Sequence, residues 1–255
     1  MRWLELEGAV NARDVGGLPT EDGRQIADRR LLRADNLQGL TPADVKILVD
    51  DFGLTTVVDL RSTREVESEG PGPLTAVGSV RHVHHSMLPE RGEATDAAAL
   101  FPSRQERIAA FAGDPTCAGY LGYLEDRPEN VVAALRSITG SAGAALVHCA
   151  AGKDRTGVIV AMSLMVAGAR RDAVIADYAA SGNRIAAILA RLSASPTYAE
   201  DISQRTDTDE ARPRAETMAQ FLEQLDERHG GVPAWLEEHG FGDGEAKALR
   251  DKLVA

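Results

Sequence analysis

The chain has 255 residues, of which 44% are hydrophobic and 26% are charged. This balance supports a packed core and excludes a globally disordered chain. The net charge of −11 argues against nucleic-acid binding and against a general attraction to anionic membranes.

The first half of the chain alternates short strands with a helix. Residues 11–18 contain two glycines and are predicted to form a loop. A helix is predicted from Thr41, a good N-cap residue followed by Pro42, to Asp50, and Gly53 ends it. Short runs rich in apolar or β-branched residues predict strands at 3–7, 30–33, 55–60 and 79–84.

The second half is predicted to be mostly helical. A strand at 144–148 precedes an apolar helix at 157–169, which should be buried on most sides. Residues 89–115 and 193–213 have no clear periodicity and are predicted to be surface excursions or loops. Further helices are predicted at 120–139 (broken near Pro128), 172–181, 185–192, 215–228, 232–240 and 244–254. Strands interleaved with helices indicate an α/β fold with a helical C-terminal part.

Three features of the chain bear on its location. Cys117 and Cys149 are its only cysteines, so no disulfide framework is expected and a reducing compartment is favoured. Residues 1–10 lack a basic segment followed by an apolar run, so no signal peptide is predicted. No apolar stretch reaches membrane length. We therefore expect a soluble, cytoplasmic protein without stable membrane insertion, although export without a signal peptide would leave no trace in the sequence.

The segment 148–157 reads HCAAGKDRTG and carries the chemistry. Five residues separate Cys149 from Arg155, so the loop between them can wrap one phosphate with successive backbone N–H groups directed inward. The helix that begins near Thr156 adds its positive end, which favours the Cys149 thiolate near neutral pH. Arg155 can bind two phosphate oxygens at once. The segment predicts displacement at phosphorus through a cysteinyl-phosphate.

The remaining loop residues are predicted to bind the phosphate. The backbone N–H groups of Ala150 and Ala151 face inward in this hypothesis, and Gly152 permits the tight turn. Thr156 can donate its hydroxyl to the sulfur when the intermediate is hydrolysed. The alternative is a structural cysteine at a strand end followed by an ordinary surface arginine. The chain contains neither a nucleotide-binding P-loop nor a C-x-x-C pair.

Four other stretches accompany this loop, and they are NARDVGGL (11–18), RADNL (33–37), DLRSTREV (59–66) and GGVPAWLEEHG (230–240). Together with HCAAGKDRTG they resemble the bacterial atypical tyrosine/dual-specificity and lipid phosphatases, whose loop signature is HCxxGKDRTG. The resemblance implies a tyrosine-phosphatase-like central sheet flanked by helices, and no metal or other cofactor. It also implies activity on phosphotyrosine, sometimes on phosphoserine/threonine or phosphoinositides. A phosphorylated protein or a phosphoinositide is therefore the expected partner.

The leaving alcohol or phenolate needs a proton donor. The chain has no Trp-Pro-Asp sequence, which supplies this acid in many tyrosine phosphatases. The resemblance makes Asp154 the first candidate, and Asp59 at a strand end is the second. For Asp59, the alternative is a salt bridge that orients a neighbouring arginine. Lys153 is expected to face the substrate and to favour highly anionic molecules, and a solvated loop lysine is the alternative.

Several residues outside the loop are candidates for a supporting role. Arg13 and Arg61 are predicted to bind substrate, and the alternative is a buried charge network that also includes Asp14. His148 is expected to shape the loop rather than to act as a base. Cys117 could resolve an oxidised Cys149, but an ordinary unreactive cysteine is favoured.

A metal site, a sulfurtransferase and an inactive phosphate-binding module are the alternatives to this hypothesis. The H-x-H-H pattern of His82, His84 and His85 lacks further ligands at metal-binding spacing, so packing at a strand end is favoured. A sulfurtransferase also uses a cysteine loop near a helix start, but sulfur transfer does not require Arg155. A phosphate-binding module without activity is disfavoured because Cys149, Asp154 and Arg155 are all present.

The chain is expected to form one phosphatase domain over residues 1–255. Residues 181–215 form a lid or an insertion within it in one interpretation. The apolar stripe at 185–192 would then cover the phosphate pocket, with the polar segment 193–213 as its hinge. In the other interpretation this stripe is ordinary core. The sequence predicts no oligomeric state.

Overall fold

A mixed sheet forms the centre of the computed structural model, which describes residues 1–89, 109, 111–203, 209 and 211–255. The strands are β1 (Arg2–Trp3), β2 (Arg13–Asp14), β3 (Leu31–Ala34), β4 (Leu54–Asp59), β5 (Arg81–His84) and β6 (Ala144–His148). Their order across the sheet is β1-β2-β3-β6-β4-β5. The last four are parallel, and β1 and β2 pair antiparallel at one side. The parallel strands therefore end at one edge, where the residues that follow them meet.

Helices cover both faces of this sheet. The helices are α1 (Pro42–Lys46), α2 (Thr63–Glu69), α3 (Pro115–Asp126), α4 (Pro128–Thr139), α5 (Asp154–Ala167), α6 (Arg171–Ala180), α7 (Ile185–Ala194), α8 (Ala199–Ser203), α9 (Ala215–His229), α10 (Val232–Glu238) and α11 (Asp243–Leu253). A π-helical turn, Ile47–Asp51, extends α1, and 3₁₀ turns lie at Pro73–Ala76 and Ser181–Arg184.

Alternate residues of the central strands enter two separate apolar cores. Val147 packs with α3, α4, α5 and α9 to α11 on one face, and Leu146 packs with the α1 region on the other. This alternation follows from the two-residue period of a strand, and burial of both faces explains why β6 is apolar throughout. Helix α5 is buried over most of its surface, and its C-cap Gly168 adopts a left-handed conformation with φ +80°.

The structure confirms the predicted fold class and most of the elements. The strand at 144–148 has the predicted bounds, and the predicted helix at 120–139 is two helices that meet just before Pro128. Pro128 takes the first position of α4, where its missing N–H leaves no bond unmade. The part after β6 is helical, as predicted.

Three predictions about elements were wrong. The strand expected at 3–7 is only Arg2–Trp3, and the loop expected at 11–18 contains β2. The polar segment 193–213 contains α8. In each case the deciding contacts are distant in sequence: β2 pairs with both β1 and β3, and α8 follows Tyr198, which packs against the loop after β6. Most of the excursion predicted at 89–115, namely residues 90–108 and 110, lies outside the described residues.

No helix in the described ranges has both the length and the apolar character that crossing a membrane requires.

Candidate active site

The loop between β6 and α5 is a tight turn pressed against the end of β3. Its residues 149–153, together with the first two residues of α5, are called the phosphate loop (149–155) below. Gly152 has φ +64°, and a Cβ at this position would lie 2.4 Å from the carbonyl oxygen of Ala34. No side chain fits there, and only glycine adopts this backbone conformation readily. The predicted role of Gly152 as the turn residue agrees with this geometry.

The carbonyl groups of the phosphate loop are bonded to buried side chains. Asn11 donates through Nδ2 to the carbonyl oxygens of Ala151 (2.9 Å) and Gly152 (3.1 Å), and Arg33 donates through Nη2 to that of Gly152 (2.8 Å). Within the described part of the chain, the backbone N–H groups of residues 150–155 have no hydrogen-bond acceptor. With its carbonyl groups held and its N–H groups unused, the loop is suited to bind an anion.

Cys149 and Arg155 occupy the two ends of this loop. Cys149 follows β6 directly and is almost completely buried, and Arg155 lies in the first turn of α5. The guanidinium donates to both carboxylate oxygens of Glu65, at 2.6 and 2.9 Å, and through Nη1 to the carbonyl oxygen of Leu60 at 3.4 Å. Arg155 and Glu65 are called the cleft pair below. Glu65 therefore fixes the direction of the arginine fork.

Glu65 was not among the predicted site residues. Burial by itself raises the pKa of Glu65, but the hydrogen bonds from Arg155 and its charge outweigh burial and lower the pKa to about 2. The same carboxylate accepts from the backbone N–H of Ser62 at 2.7 Å, which closes a capping box at the start of α2. The sequence Ser62-Thr-Arg-Glu65 carried this helix signal, and only the fold shows that the glutamate also reaches Arg155.

Asp154 and Lys153 follow the turn at Gly152. Asp154 accepts a hydrogen bond from the hydroxyl of Tyr120 at 2.5 Å, and its side chain is 29% exposed. Lys153 donates through Nζ to the carbonyl oxygen of Ala211 at 2.7 Å and lies 3.4 Å from Oδ2 of Asp154. Asp154 is thus accessible beside the phosphate loop. The ammonium group of Lys153 bonds to the segment that precedes α9.

Comparison with known proteins shows which family this chain belongs to. A family model described as the tyrosine phosphatase family matches residues 4–255. The chain belongs to the tyrosine phosphatase family. The phosphatase class predicted from the loop is thereby confirmed.

The relatives of this chain carry phosphatase names. It is 28% identical to the triple specificity protein phosphatase PtpB of Mycobacterium tuberculosis, over 98% of each chain. It is 33% identical to a Cupriavidus necator protein provisionally named as a tyrosine-protein phosphatase, over 71% of this chain and 63% of that one. It is 26% identical to a tyrosine-protein phosphatase of Nostoc commune, over 87% of this chain and 73% of that one.

Asp59, the second candidate acid of this phosphatase, is held in an ion pair. Arg61 donates to its carboxylate through Nε and Nη2, with a shortest distance of 2.5 Å, and His148 lies 3.6 Å away. Burial raises the pKa of Asp59, but the His148 ring and the Arg61 hydrogen bonds outweigh burial and hold the pKa well below its usual range. These contacts favour the alternative interpretation, in which Asp59 orients Arg61. They suit Asp59 poorly to proton donation.

Arg61 and His148 line a cavity of about 370 Å³, bounded also by Leu74, Val66 and His82. Arg61 is therefore placed beside this cavity, whereas Glu65 and Arg155 line a separate, larger cleft on the other side of α2, which is described below. Burial lowers the pKa of His148 to about 4, so its ring is neutral at pH 7. A neutral ring agrees with the expectation that His148 shapes the loop.

Arg13 is fully buried in a charge cluster. It donates through Nε to Oδ1 of Asp177 at 2.8 Å, and Arg33 donates through Nη1 to Oδ2 of the same carboxylate at 2.6 Å. Arg13 also donates to the side chain of Asn11 at 2.8 Å. Arg13, Arg33 and Asp177 are called the brace below. The position of Arg13 favours the predicted alternative of a buried network, and this network reaches the phosphate loop through Asn11 and Arg33.

Asp14 lies near the brace without joining it. It accepts from the backbone N–H groups of Gly16 and Arg29, both at 2.9 Å. Its contacts therefore shape the turn after β2.

Thr156 and the cysteine outside the loop are both buried. The hydroxyl of Thr156 makes no hydrogen bond to any residue that the structure describes, and its donation to the sulfur stays a prediction. Burial, and then the charge of Asp114, raise the pKa of Cys117 to about 12. A thiol that stays protonated is a poor resolving group.

The cleft above the phosphate loop has a volume of about 800 Å³. One wall is α2, with Ser62, Arg64 and Glu65, and the other is the segment from Leu192 to Ile202. Side chains of α7 and of the turn before α8 pack against Ala150, and they are Ile188, Leu192 and Tyr198. The hydroxyl of Tyr198 is buried without a hydrogen-bond partner in the described residues.

The three histidines of the H-x-H-H pattern do not converge. His84 donates to the carbonyl oxygen of Arg61 at 2.7 Å, and His85 bonds the hydroxyl of Ser137 at 3.0 Å. Groups of histidine, cysteine and carboxylate side chains that could hold a metal ion were not found in the described ranges.

Proposed function

We propose that this phosphatase hydrolyses phosphotyrosine in proteins, and phosphoserine or phosphothreonine as further substrates, through a cysteinyl-phosphate. One observation carries the proposal: Cys149 and Arg155 close a loop whose backbone N–H groups are unused, with Arg155 aligned by Glu65. Donors fixed in advance around a phosphate stabilise the charge of the transition state without further reorganisation.

The reaction has two displacements at phosphorus. In the first, the Cys149 thiolate attacks phosphorus, the bond from phosphorus to the tyrosine oxygen breaks, and Asp154 gives its proton to the leaving oxygen. In the second, water attacks the cysteinyl-phosphate, Asp154 takes a proton from that water, and the sulfur leaves as thiolate. Inorganic phosphate and the free phenol are the products, and the enzyme returns to its starting state.

Asp154 is the acid in this proposal, and its placement supports the choice over Asp59. Its side chain is accessible and has no arginine partner among the described residues, whereas Asp59 is paired with Arg61. Arg155 holds two of the three oxygens of the transferred phosphoryl group, and the backbone N–H groups donate to these and to the third.

A phosphoinositide is the second candidate substrate. Arg64 is exposed on the wall of a cleft that also contains Arg155, so a second phosphate group has a basic side chain within the same cleft. The name of the Mycobacterium tuberculosis relative, triple specificity, agrees with a cleft that accepts more than one class of phosphate ester. Lys153 could contribute only after it leaves the carbonyl oxygen of Ala211.

Residues 185–198, within the segment 181–215, support the lid interpretation of the sequence. Their apolar side chains Ile188, Leu192 and Tyr198 cover Ala150 of the phosphate loop. We propose that residues 185–198 shield the cysteinyl-phosphate. A reducing, cytoplasmic location also belongs to the proposal, because the mechanism needs Cys149 as a thiolate.

A metal-free assay of phosphate release tests the proposal. A phosphotyrosine peptide, a phosphoserine peptide and short-chain phosphoinositides are compared, with Cys149→Ser as the control. We expect release from the phosphotyrosine peptide, no effect of EDTA and no turnover by Cys149→Ser. Faster release from phosphoinositides would favour the second candidate. Turnover by Cys149→Ser near the wild-type rate would refute the nucleophile, and sulfur transfer from thiosulfate without phosphatase activity would refute the reaction class.

A further inference from the structure

Two buried tyrosines stand in line behind Asp154. The hydroxyl of Tyr120 lies 2.5 Å from Oδ1 of Asp154 and 2.6 Å from the hydroxyl of Tyr178. Tyr120 comes from α3 and Tyr178 from α6, so three helices bring these groups together. Both phenol side chains are about 1% exposed, and water therefore does not compete for these hydrogen bonds.

The two hydrogen bonds that link Tyr178, Tyr120 and Asp154 can run in only one direction. In the ionised form, and in the acid protonated on Oδ2, the Oδ1 oxygen of Asp154 only accepts, so the single hydroxyl hydrogen of Tyr120 points to Oδ1. Tyr120 then has only its lone pairs left for Tyr178, which must be the donor of the second bond. Burial, and then the charge of Asp154, raise the pKa of Tyr120 well above its usual value, so this phenol keeps its hydrogen.

Packing fixes both rings. The Tyr120 ring meets the rings of Tyr178 and Phe221 edge to face, with centroids 6.1 and 6.0 Å apart. Tyr178 lies so close to α5 that a Cβ on Gly157 would be 2.9 Å from its ring. Gly157 is in the first turn of α5, as is Asp154, so the tyrosines and the acid share one rigid frame.

We propose that Tyr120 is a positioning residue for the general acid: by donating to Oδ1 of Asp154 it leaves Oδ2 as the oxygen that carries the transferable proton. Tyr178 supports this role by occupying the acceptor side of Tyr120. The inference rests on the proposed function, in which Asp154 protonates the leaving group. After the transfer, the Tyr120 hydrogen bond also stabilises the carboxylate that remains.

The proposal predicts a selective loss in Tyr120→Phe. A hydrogen bond to a charged group is lost while the ring and its packing remain. We expect kcat/KM to fall roughly tenfold to a hundredfold for phenyl phosphate, whose leaving group needs protonation, and far less for p-nitrophenyl phosphate.

Tyr178→Phe is the matched variant. It removes the hydroxyl that donates to Tyr120 but leaves the hydrogen bond from Tyr120 to Asp154 in place. We expect the same selectivity for the poor leaving group, with a loss below about fivefold. If Tyr120→Phe fails to fold, which urea unfolding reports, Tyr178→Phe carries the test.

The experiment measures kcat/KM for both aryl phosphates across pH in wild type, Tyr120→Phe, Tyr178→Phe, Asp154→Asn and the double variant Tyr120→Phe/Asp154→Asn. If Tyr120 acts through the acid, its substitution has no further effect once Asp154 is Asn. Equal losses for both substrates in Tyr120→Phe, or additive losses in the double variant, would overturn the positioning role alone. A loss in Asp154→Asn that does not depend on the leaving group would instead overturn the acid assignment, and this inference with it.

Discussion

The cleft pair and the brace are both built on buried arginines, but they differ in access to solvent. The side chains of Arg155 and Glu65 are 12% and 13% exposed, and they line the cleft. Those of Arg13, Arg33 and Asp177 are at most 1% exposed. An arginine at the cleft can bind a substrate phosphate as well as its carboxylate. The brace has no room for a ligand and can only hold the chain.

We infer from this difference that a charge cluster next to an active site need not take part in the reaction. In the brace, one carboxylate serves two guanidinium groups, and the cluster reaches the phosphate loop through Arg33 and Asn11. Removing one member of such a cluster leaves an unpaired buried charge. We therefore expect substitutions in the brace to change stability first and substitutions in the cleft pair to change activity first.

The largest effect on stability is expected from Asp177→Asn. This change leaves Arg13 and Arg33 buried without a carboxylate and should lower the free energy of unfolding by about 3–5 kcal/mol. Urea unfolding measures it. Asp172→Asn is the matched control, because Asp172 lies on the same helix in an exposed ion pair, and little change is expected. A value for Asp177→Asn close to that of the control would contradict the role of the brace.

Arginine-to-lysine changes in the two clusters test most directly whether the cleft pair affects activity and the brace affects stability. In Arg155→Lys the two-pronged contact with phosphate is lost, so kcat/KM on a phosphotyrosine peptide should fall about 10²- to 10³-fold with a small change in stability. In Arg13→Lys we expect the reverse, a loss of about 1–3 kcal/mol of stability with near-normal activity of the folded enzyme. Steady-state kinetics and urea unfolding are measured on both. The same pattern in both variants would remove the distinction.

His148 is a buried titratable side chain whose effect on stability depends on pH. Its pKa is lowered from 6.5 to about 4 because the ring is buried. The His148 ring is therefore protonated below pH 6.5 in the unfolded chain but only below about pH 4 in the folded chain. Stability from the neutral ring is complete above pH 6.5 and is lost as the pH falls through this window, by about 3 kcal/mol. Urea unfolding across pH should show that loss in wild type and not in His148→Asn. In His82→Asn the loss should remain, because burial is the largest cause of the lowered His148 pKa and the charge of His82 is a minor one.

Glu65→Gln has the smallest expected effect and tests what the carboxylate of the cleft pair contributes. Arg155 keeps its position in α5 but loses a charged acceptor, so kcat/KM should fall about tenfold and the free energy of unfolding by about 1–2 kcal/mol. Kinetics and urea unfolding are compared with Glu67→Gln, an exposed position on the same helix. If the Glu67 variant loses as much activity, the effect comes from α2 as a whole and not from the contact with Arg155.

Local sequence signals gave correct elements where local interactions decide the structure. Pro128 at a helix start, the capping residues Thr41 and Ser62, and the apolar strand before Cys149 all act within a few residues. Helix α8 was missed because its segment is polar. It follows Tyr198, which packs on Ala150 of the phosphate loop, a contact that no local pattern indicates.

The sequence by itself determined the proposed reactive centre of this phosphatase. The proposed nucleophile, the backbone donors, the helix start and the arginine fork come from one stretch, so their spacing along the chain defines the proposed chemistry. Only the tertiary structure decided which side chains hold that centre. Glu65 is 90 residues from Arg155, Tyr120 is 34 from Asp154, and Arg33 is 119 from Gly152. Such partners are selected by burial, because a charge or a hydroxyl removed from water must find its counterpart wherever the fold places one.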